Sequence, residues 1–388
     1  MDLAVFGRSP VGRLEPIVVT DARDGVGYEH AAFVPAPLPR SLALGTDTIA
    51  ALLDAQLALG RLDGAATELP DPLLLVRPII RREAVSTSAL EGTYTELAEL
   101  MRDEVVGDPR DQDVREVLNY VLAAEHGLAR LEVRPIGTNL VNELHDLLVR
   151  GTRGDSAERG SVRRHQNWIG SRGSRVIDAH FVPPPPGDRL REGLTDWERY
   201  IHDQDVPLLV RCALGHYQFE TLHPYNDGNG RLGRLLIVLQ LIAGGALAHH
   251  LVSVSGYLEA RRDEYVAQLQ HVRATGDFQA WIEFVARALA HSGEQALVRI
   301  KTLHDLRDRI VEQVRDSGSR GTTVQVAHDV VGYPYVTIPA VAARYDRTYQ
   351  AASNAVHKLV EIGVLHEVPG TSQPRAYVAI EVVRLLDL

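Results

Sequence analysis

The chain turns on residues 223–234, His-Pro-Tyr-Asn-Asp-Gly-Asn-Gly-Arg-Leu-Gly-Arg, running from His223 to Arg234. Helical patterns flank it. Ahead of it, apolar or small residues at 208, 212, 215, 219 and 222 fall on one helix face. Behind it, LLIVLQLIA (235–243) is apolar all round, which marks a central, buried helix. Gly228 and Gly230 let the backbone approach a ligand closely and turn several N–H groups the same way. The next helix adds the positive end of its dipole. Arg231 and Arg234 are three apart and share a face. Together these make an anion cradle that suits a polyphosphate. Asp227 would repel phosphate unless a cation lay between them. Mg²⁺ takes one or two carboxylates plus phosphate oxygens, so one Asp is enough. His223, at the end of its helix, is suited to remove a proton from a hydroxyl nucleophile. A bare Gly-Asn-Gly would be an ordinary helix–helix turn; His, Asp, two Gly and two Arg at these intervals point to a site.

These residues resemble the signature of the Fic family, HxFx(D/E)GNGRxxR. Every defined position agrees except Tyr225, which stands where the family usually has Phe. A buried Tyr there needs a partner for its hydroxyl. The resemblance implies that His223 is the general base and that Asp227 holds Mg²⁺. It implies that Asn229 and the Gly228 and Gly230 amides cradle the α- and β-phosphates. Arg231 would then bind the β-phosphate and Arg234 the γ-phosphate. The implied reaction is attack of a protein Ser, Thr or Tyr hydroxyl on the α-phosphate of ATP, leaving AMP on the target and releasing pyrophosphate. Gly230 is informative: a Lys there would resemble the Doc branch, with kinase-like transfer, whereas Gly leaves room for nucleotidyl transfer.

Residues 86–92 read Ser-Thr-Ser-Ala-Leu-Glu-Gly. Thr87 and Glu91 are i and i+4 on one helix face, with Gly92 as a local break. Beside the loop above, the segment resembles the (S/T)xxxE(G/N) inhibitory motif of Fic proteins, in the class where the inhibitory helix precedes the core. Glu91 would pair with Arg234 and occupy the charge that the γ-phosphate needs. The same Glu serves removal of AMP in some family members, so a reverse activity stays open. Residues 166–186 resemble the Fic flap, a short hairpin whose edge aligns the target by strand addition. Val176, Ile177 and Phe181 have the β-propensity for that edge. Tyr257 opens a stretch, YLEARRDEY, that resembles the post-motif helix, where the ring is an adenine contact or a core residue.

The rest of the chain fits this picture without adding to it. It has 388 residues, a formal net charge of −10, 45% hydrophobic and 24% charged residues. Those values exclude a disordered or collagen-like chain and argue against broad nucleic-acid coating. No apolar run suggests a membrane span, and Cys212 is the only cysteine, so the expected compartment is the cytoplasm. Among 16 histidines only His249 and His250 adjoin, and no zinc spacing appears. The expected fold is mostly α: a Fic-type helical core with a short β-hairpin flap, plus a C-terminal winged helix-turn-helix. The expected division is an N-terminal region with the inhibitory helix (1–110), a Fic catalytic core (111–300) and a winged-helix domain (301–388). Residues 1–45 read as Pro- and Gly-punctuated, and helices are expected near 75–105, 259–273 and 278–297. Thr337 and Thr348 are natural N-caps, with a two-stranded wing around Pro369–Pro374. Residues 301–388 carry ten Lys or Arg and ten Asp or Glu, a weak balance for a DNA reader. DNA binding, docking, homodimerisation and self-modification stay open, and the expected partner is a protein with a hydroxyl side chain.

Overall fold

The computed structural model describes residues 1–20, 25–69, 71–107, 111–170, 173–369 and 374–387. A short helix α1 (Leu3–Phe6) precedes strands β1 (Gly12–Thr20) and β2 (Gly27–Pro35). Helices α2 (Thr46–Thr67), α3 (Leu73–Leu90), α4 (Leu97–Val106), α5 (Gln112–Leu131) and α6 (Thr138–Val149) follow. A long irregular stretch leads to α7 (Asp188–Ile201), α8 (Leu208–Leu222) and α9 (Asn229–Ala243). Then come α10 (Val254–Glu259), α11 (Arg262–Thr275) and α12 (Phe278–Asp316). The chain ends with α13 (Thr322–Asp329), β3 (Tyr335–Thr337), α14 (Ile338–Arg344), α15 (Tyr349–Ile362), β4 (His366–Glu367), β5 (Ala376–Val378) and α16 (Ile380–Asp387). Among the described residues no helix is long and apolar enough to cross a membrane.

The chain forms two compact units. The first comprises Met1–Leu57, Leu122–Ala246 and Tyr257–Ala290; the second comprises Ala58–Val121, Leu247–Gly256 and His291–Leu388. The second therefore gathers α3, α4 and the C-terminal elements, which lie far apart in sequence. The boundary expected at residue 300 falls inside α12, whose Ile300, Leu303, Leu306, Ile310 and Val314 continue a buried helical face.

In the first unit, α8 and α9 form the centre. Every residue of α8 from Leu209 to Leu222 is buried. On α9, Leu235, Leu236, Ile237, Val238 and Leu239 are each 1% exposed or less, each worth about 1.5–3 kcal/mol of transfer free energy. Gly233 lets the two helices close. A methyl group there would lie 2.5 Å from Glu220 Oε1 and 3.1 Å from His216 Nδ1. Gly233→Ala should therefore destabilise the protein by about 1–3 kcal/mol, read as a lower midpoint in thermal unfolding. An unchanged midpoint would refute this packing role.

The sequence reading missed the antiparallel β1–β2 hairpin, paired from Gly12–Pro35 to Thr20–Gly27. Pro16 and scattered charges hide its alternation, and its partners lie elsewhere in the chain. Ala32 and Phe33 are fully buried, packing against Val176, Ala179, Phe181 and Val182.

In the second unit, the single helix expected near 75–105 is two. The chain breaks after Leu90, where Gly92 takes φ +83°, a region open to Gly. Helix α3 is tightly tied. Arg81 Nη2 and Arg77 Nη2 donate to Glu104 Oε1 on α4 at 2.5 and 2.8 Å. Arg82 Nη1 donates to the Leu386 carbonyl at 2.6 Å. Buried Glu83 accepts from the Ser253 hydroxyl at 2.9 Å and from the Ser255 N–H and hydroxyl at 3.0 and 2.5 Å. The Arg77 and Arg344 guanidinium carbons lie 4.4 and 3.3 Å from the centroid of the Tyr333 ring.

The C-terminal strands form a three-stranded sheet in the order β3-β5-β4. Thr337 and Thr348 cap α14 and α15, their hydroxyl oxygens accepting from the Ala340 and Ala351 N–H groups. Part of the expected wing, residues 370–373, lies outside the described residues.

Candidate active site

The site is built where α8 ends and α9 begins. His223 is the C-cap of α8, at φ 47° and ψ 60°, and its N–H donates to the Phe219 carbonyl at 2.9 Å. His223 and Asp346 are the described non-glycine residues with positive φ. Such a conformation costs about 1–3 kcal/mol and persists only where its surroundings hold it. Pro224 contributes, because a residue before proline is barred from continuing the helix. Arg163, 1% exposed, also contributes: its Nε donates to the His223 carbonyl at 2.9 Å. Nearby, Arg273 donates to Thr221 Oγ1 and the Glu220 carbonyl at 3.2 Å each. Its guanidinium carbon lies 3.9 Å from the centroid of the Phe181 ring.

The loop rests on a polar shelf. Tyr225 is buried, and its hydroxyl donates to Asn142 Oδ1 at 2.7 Å, the partner that a buried Tyr in place of Phe requires. Its ring stacks on His145, with centroids 4.1 Å apart. Gly160 N–H donates to His145 Nδ1 at 3.0 Å, so the ring proton sits on Nε2, 3.2 Å from the Asp227 carbonyl that accepts it. Burial pushes the His145 pKa down to about 4, which keeps the ring neutral. The sequence reading did not single out His145 or Asn142. The signal was there: His145 sits on the buried face of α6 with Val141, Leu144 and Leu148, where a polar residue needs a partner.

Asn229 closes the loop from within. Its side chain accepts from Tyr225 N–H at 2.8 Å and donates to the Tyr225 carbonyl at 2.7 Å. That side chain therefore shapes the loop, and the Asn229 backbone N–H stays at the start of α9. Gly228 takes φ +77° as the N-cap of α9. Arg231 and Arg234 follow on the first turns, each 2% exposed. Arg234 also acts on buried His216: burial first, and the Arg234 charge second, push its pKa down to about 3.

Asp227 is the outward-facing acid. Its side chain is 49% exposed, and Oδ1 lies 3.5 Å from Arg231 Nη2 and 2.6 Å from the Gly228 N–H that donates to it. Among the described residues no group of three or more His, Cys, Asp or Glu gathers as a metal cage. A lone accessible carboxylate beside two buried arginines fits Mg²⁺, which takes its remaining ligands from water and phosphate.

The other expected residues are placed as follows. Thr87 is buried in the last turn of α3, Glu91 is the exposed C-cap of that helix, and Gly92 follows it. These lie in the second unit and Arg234 in the first. Tyr257 lies on α10, its ring 5.9 Å from Phe284 and 4.0 Å from the Arg261 guanidinium carbon. The flap departs from the expected hairpin. Among the described residues it has one antiparallel bridge, Ile169 to Phe181, and Val176–Asp178 form a 3₁₀ turn. Val176 and Phe181 are buried, whereas Ile177 is 52% exposed. Pro183–Pro186 lack the N–H groups that a ladder needs, and the Val182 carbonyl already accepts from Phe33 N–H on β2 at 2.9 Å.

Comparison with known proteins gives the family. The Fic/DOC family N-terminal profile matches residues 49–129, and the Fic/DOC family profile matches residues 135–241. The chain is 30% identical over 154 residues to protein adenylyltransferase fic-1 of Caenorhabditis elegans, covering 39% of this chain and 27% of that protein. A probable protein adenylyltransferase of Aquifex aeolicus is 31% identical over 90 residues, covering 23% of this chain and 28% of that one. The chain thus spans about a quarter of the length of these curated relatives. In fold it is similar to a Fic family protein from Desulfovibrio desulfuricans, with a TM-score of 0.53 and 20% identity over 87% of this chain and 97% of that one. It is also similar to Fic-1 of C. elegans, with a TM-score of 0.51 and 21% identity over 66% and 74% of the two chains. With the signature loop at the junction of two buried helices and the family profiles covering both α3 and that loop, the chain is a Fic/DOC family protein with the family's N-terminal region ahead of its core.

Proposed function

We propose that this protein is a protein adenylyltransferase that moves AMP from ATP to a Ser, Thr or Tyr hydroxyl of a target protein. One observation carries the reading. A histidine in a left-handed C-cap stands four residues from an accessible Asp, and two buried arginines follow on the adjoining helix start. His223 takes the proton of the target hydroxyl. That oxygen bonds to the α-phosphorus, the bond to the bridging oxygen of the β-phosphate breaks, and pyrophosphate leaves. The backbone N–H groups at the start of α9 and the Arg231 and Arg234 guanidiniums orient the phosphates. Asp227 would hold Mg²⁺, which would supply charge neutralisation along the phosphate chain. Glu91 holds the activity down by competing with the γ-phosphate for Arg234. Ile177, the exposed member of the Val176, Ile177 and Phe181 set, is the one that would meet the target, with the buried pair anchoring the segment. Incubation with lysate and ATP labelled at either phosphate tests the reaction class. α-label on protein supports AMP transfer, γ-label means kinase-type chemistry, and neither label sinks the enzyme reading.

The C-terminal order α13-β3-α14-α15-β4-β5 reads as a winged helix with α15 as its recognition helix. A cavity of about 640 Å³ between helix and wing is lined by Tyr349, Ser353, His357 and Arg375, among others. Two cations of this face are matched locally. Lys358 pairs with Glu361 at 3.1 Å, and Arg375 pairs with Glu367 at 3.2 Å. That favours a docking role over DNA binding. Duplex DNA is expected to run unretarded in a gel shift at low salt, and retention that weakens as salt rises would assign the face to nucleic acid.

A further inference from the structure

We infer that Arg163 is a positioning residue for His223, holding the base's backbone in the conformation that aims its imidazole. The inference rests on the adenylyltransferase reading only where it invokes turnover. Arg163 takes three consecutive carbonyls at the end of α8. Its Nε donates to His223 at 2.9 Å, its Nη2 reaches Leu222 at 3.5 Å, and its backbone N–H donates to Pro224 at 2.9 Å. Its Nη2 also donates to the Pro184 carbonyl of the flap segment at 2.6 Å, and its Nη1 to the His165 carbonyl, two residues on, at 3.2 Å. Each side-chain partner of this buried cation is a neutral backbone carbonyl. A buried arginine without a carboxylate partner is costly, and burial alone drives its pKa down to about 10. The cost has a use, because His223 sits in a strained conformation that something must over-determine. One planar guanidinium reaching residues 165, 184, 222 and 223 does so. It also holds Pro184, in the irregular segment after Phe181, against the same point, so base and flap segment share one brace.

A lysine keeps the charge and loses the fork. The test is Arg163→Lys in a Glu91→Gly parent, measured against that parent. The expected result is a kcat lower by about 100-fold with KM for ATP within about threefold, because misaimed chemistry slows while the phosphate cradle stays intact. In ¹⁵N-histidine spectra of the full chain, the His223 ring resonances, identified by their loss in His223→Asn, should shift in Arg163→Lys. A kcat near the parent's, a rise in KM alone, or unmoved His223 resonances would overturn the assignment. If the parent itself transfers nothing, the adenylyltransferase reading fails, and the spectra still decide the positioning role. Should Arg163→Lys not fold, the wild-type chain decides: the Arg163 Nε–H must exchange slowly with solvent, and fast exchange refutes the brace.

Discussion

AMP transfer to protein from α-labelled ATP falls by about 10²–10⁴-fold in His223→Ala, the range expected for losing a general base. The cradle should survive the change. The Gly228 turn, the Asn229–Tyr225 bonds and the Arg231–Asp227 contact all lie beyond the His223 side chain. Affinity for ATP is therefore expected to hold while kcat collapses, the pattern of an interaction made only in the transition state. Autoradiography with and without lysate measures it. A Fic core that only sensed nucleotide would give no transfer with or without the imidazole. Transfer unaffected by the substitution would sink the role given to His223.

The opposite effect is expected at Glu91. Glu91→Gly should raise modification, including self-modification, by about 10- to 100-fold. A charge-assisted contact of about 1.5–3 kcal/mol would be withdrawn from competition with the γ-phosphate. The fold should not suffer. Glu91 is the C-cap of α3, where a carboxylate faces the unfavourable, negative end of the helix dipole. The turn depends on Gly92, at φ +83°, which is left in place. Labelling of the variant beside wild type at equal ATP reads the outcome, and equal labelling would mean that Glu91 is no inhibitor.

Residues with local chemistry were legible in the sequence. Gly228, Arg231 and Arg234 announce themselves by spacing, and LLIVLQLIA by its unbroken hydrophobicity. Thr337 and Thr348 were readable as caps because a cap acts within three residues. What stayed hidden is held by distant partners. Arg163 meets residues about 20 and 60 positions away, and nothing in its neighbourhood distinguishes it from Arg164. His145 reaches 82 positions on to Asp227. The β1–β2 hairpin hides behind Pro16 and its charges, and with it went the reason the flap is not a ladder, since β2 already occupies Val182. Tyr225 lies between the two cases: a buried hydroxyl requires a partner, and only the fold supplies Asn142.

The tethering of α3 has one more consequence. Arg77, Arg81, Arg82 and Glu83 fasten the helix ahead of Thr87, and the Thr93 hydroxyl donates to buried Glu116 just beyond Gly92. Withdrawing the helix as a body breaks all of these, at about 1.5–3 kcal/mol for each bond to a charged group. The sum rivals the whole stability of an ordinary domain, about 5–15 kcal/mol. Pulling α3 out of the second unit would therefore approach unfolding of that unit. If Glu91 acts as proposed, a change that loosens α3 within its own unit would also loosen the restraint, and selection for a quieter protein would look, in the sequence, like selection for a more stable one.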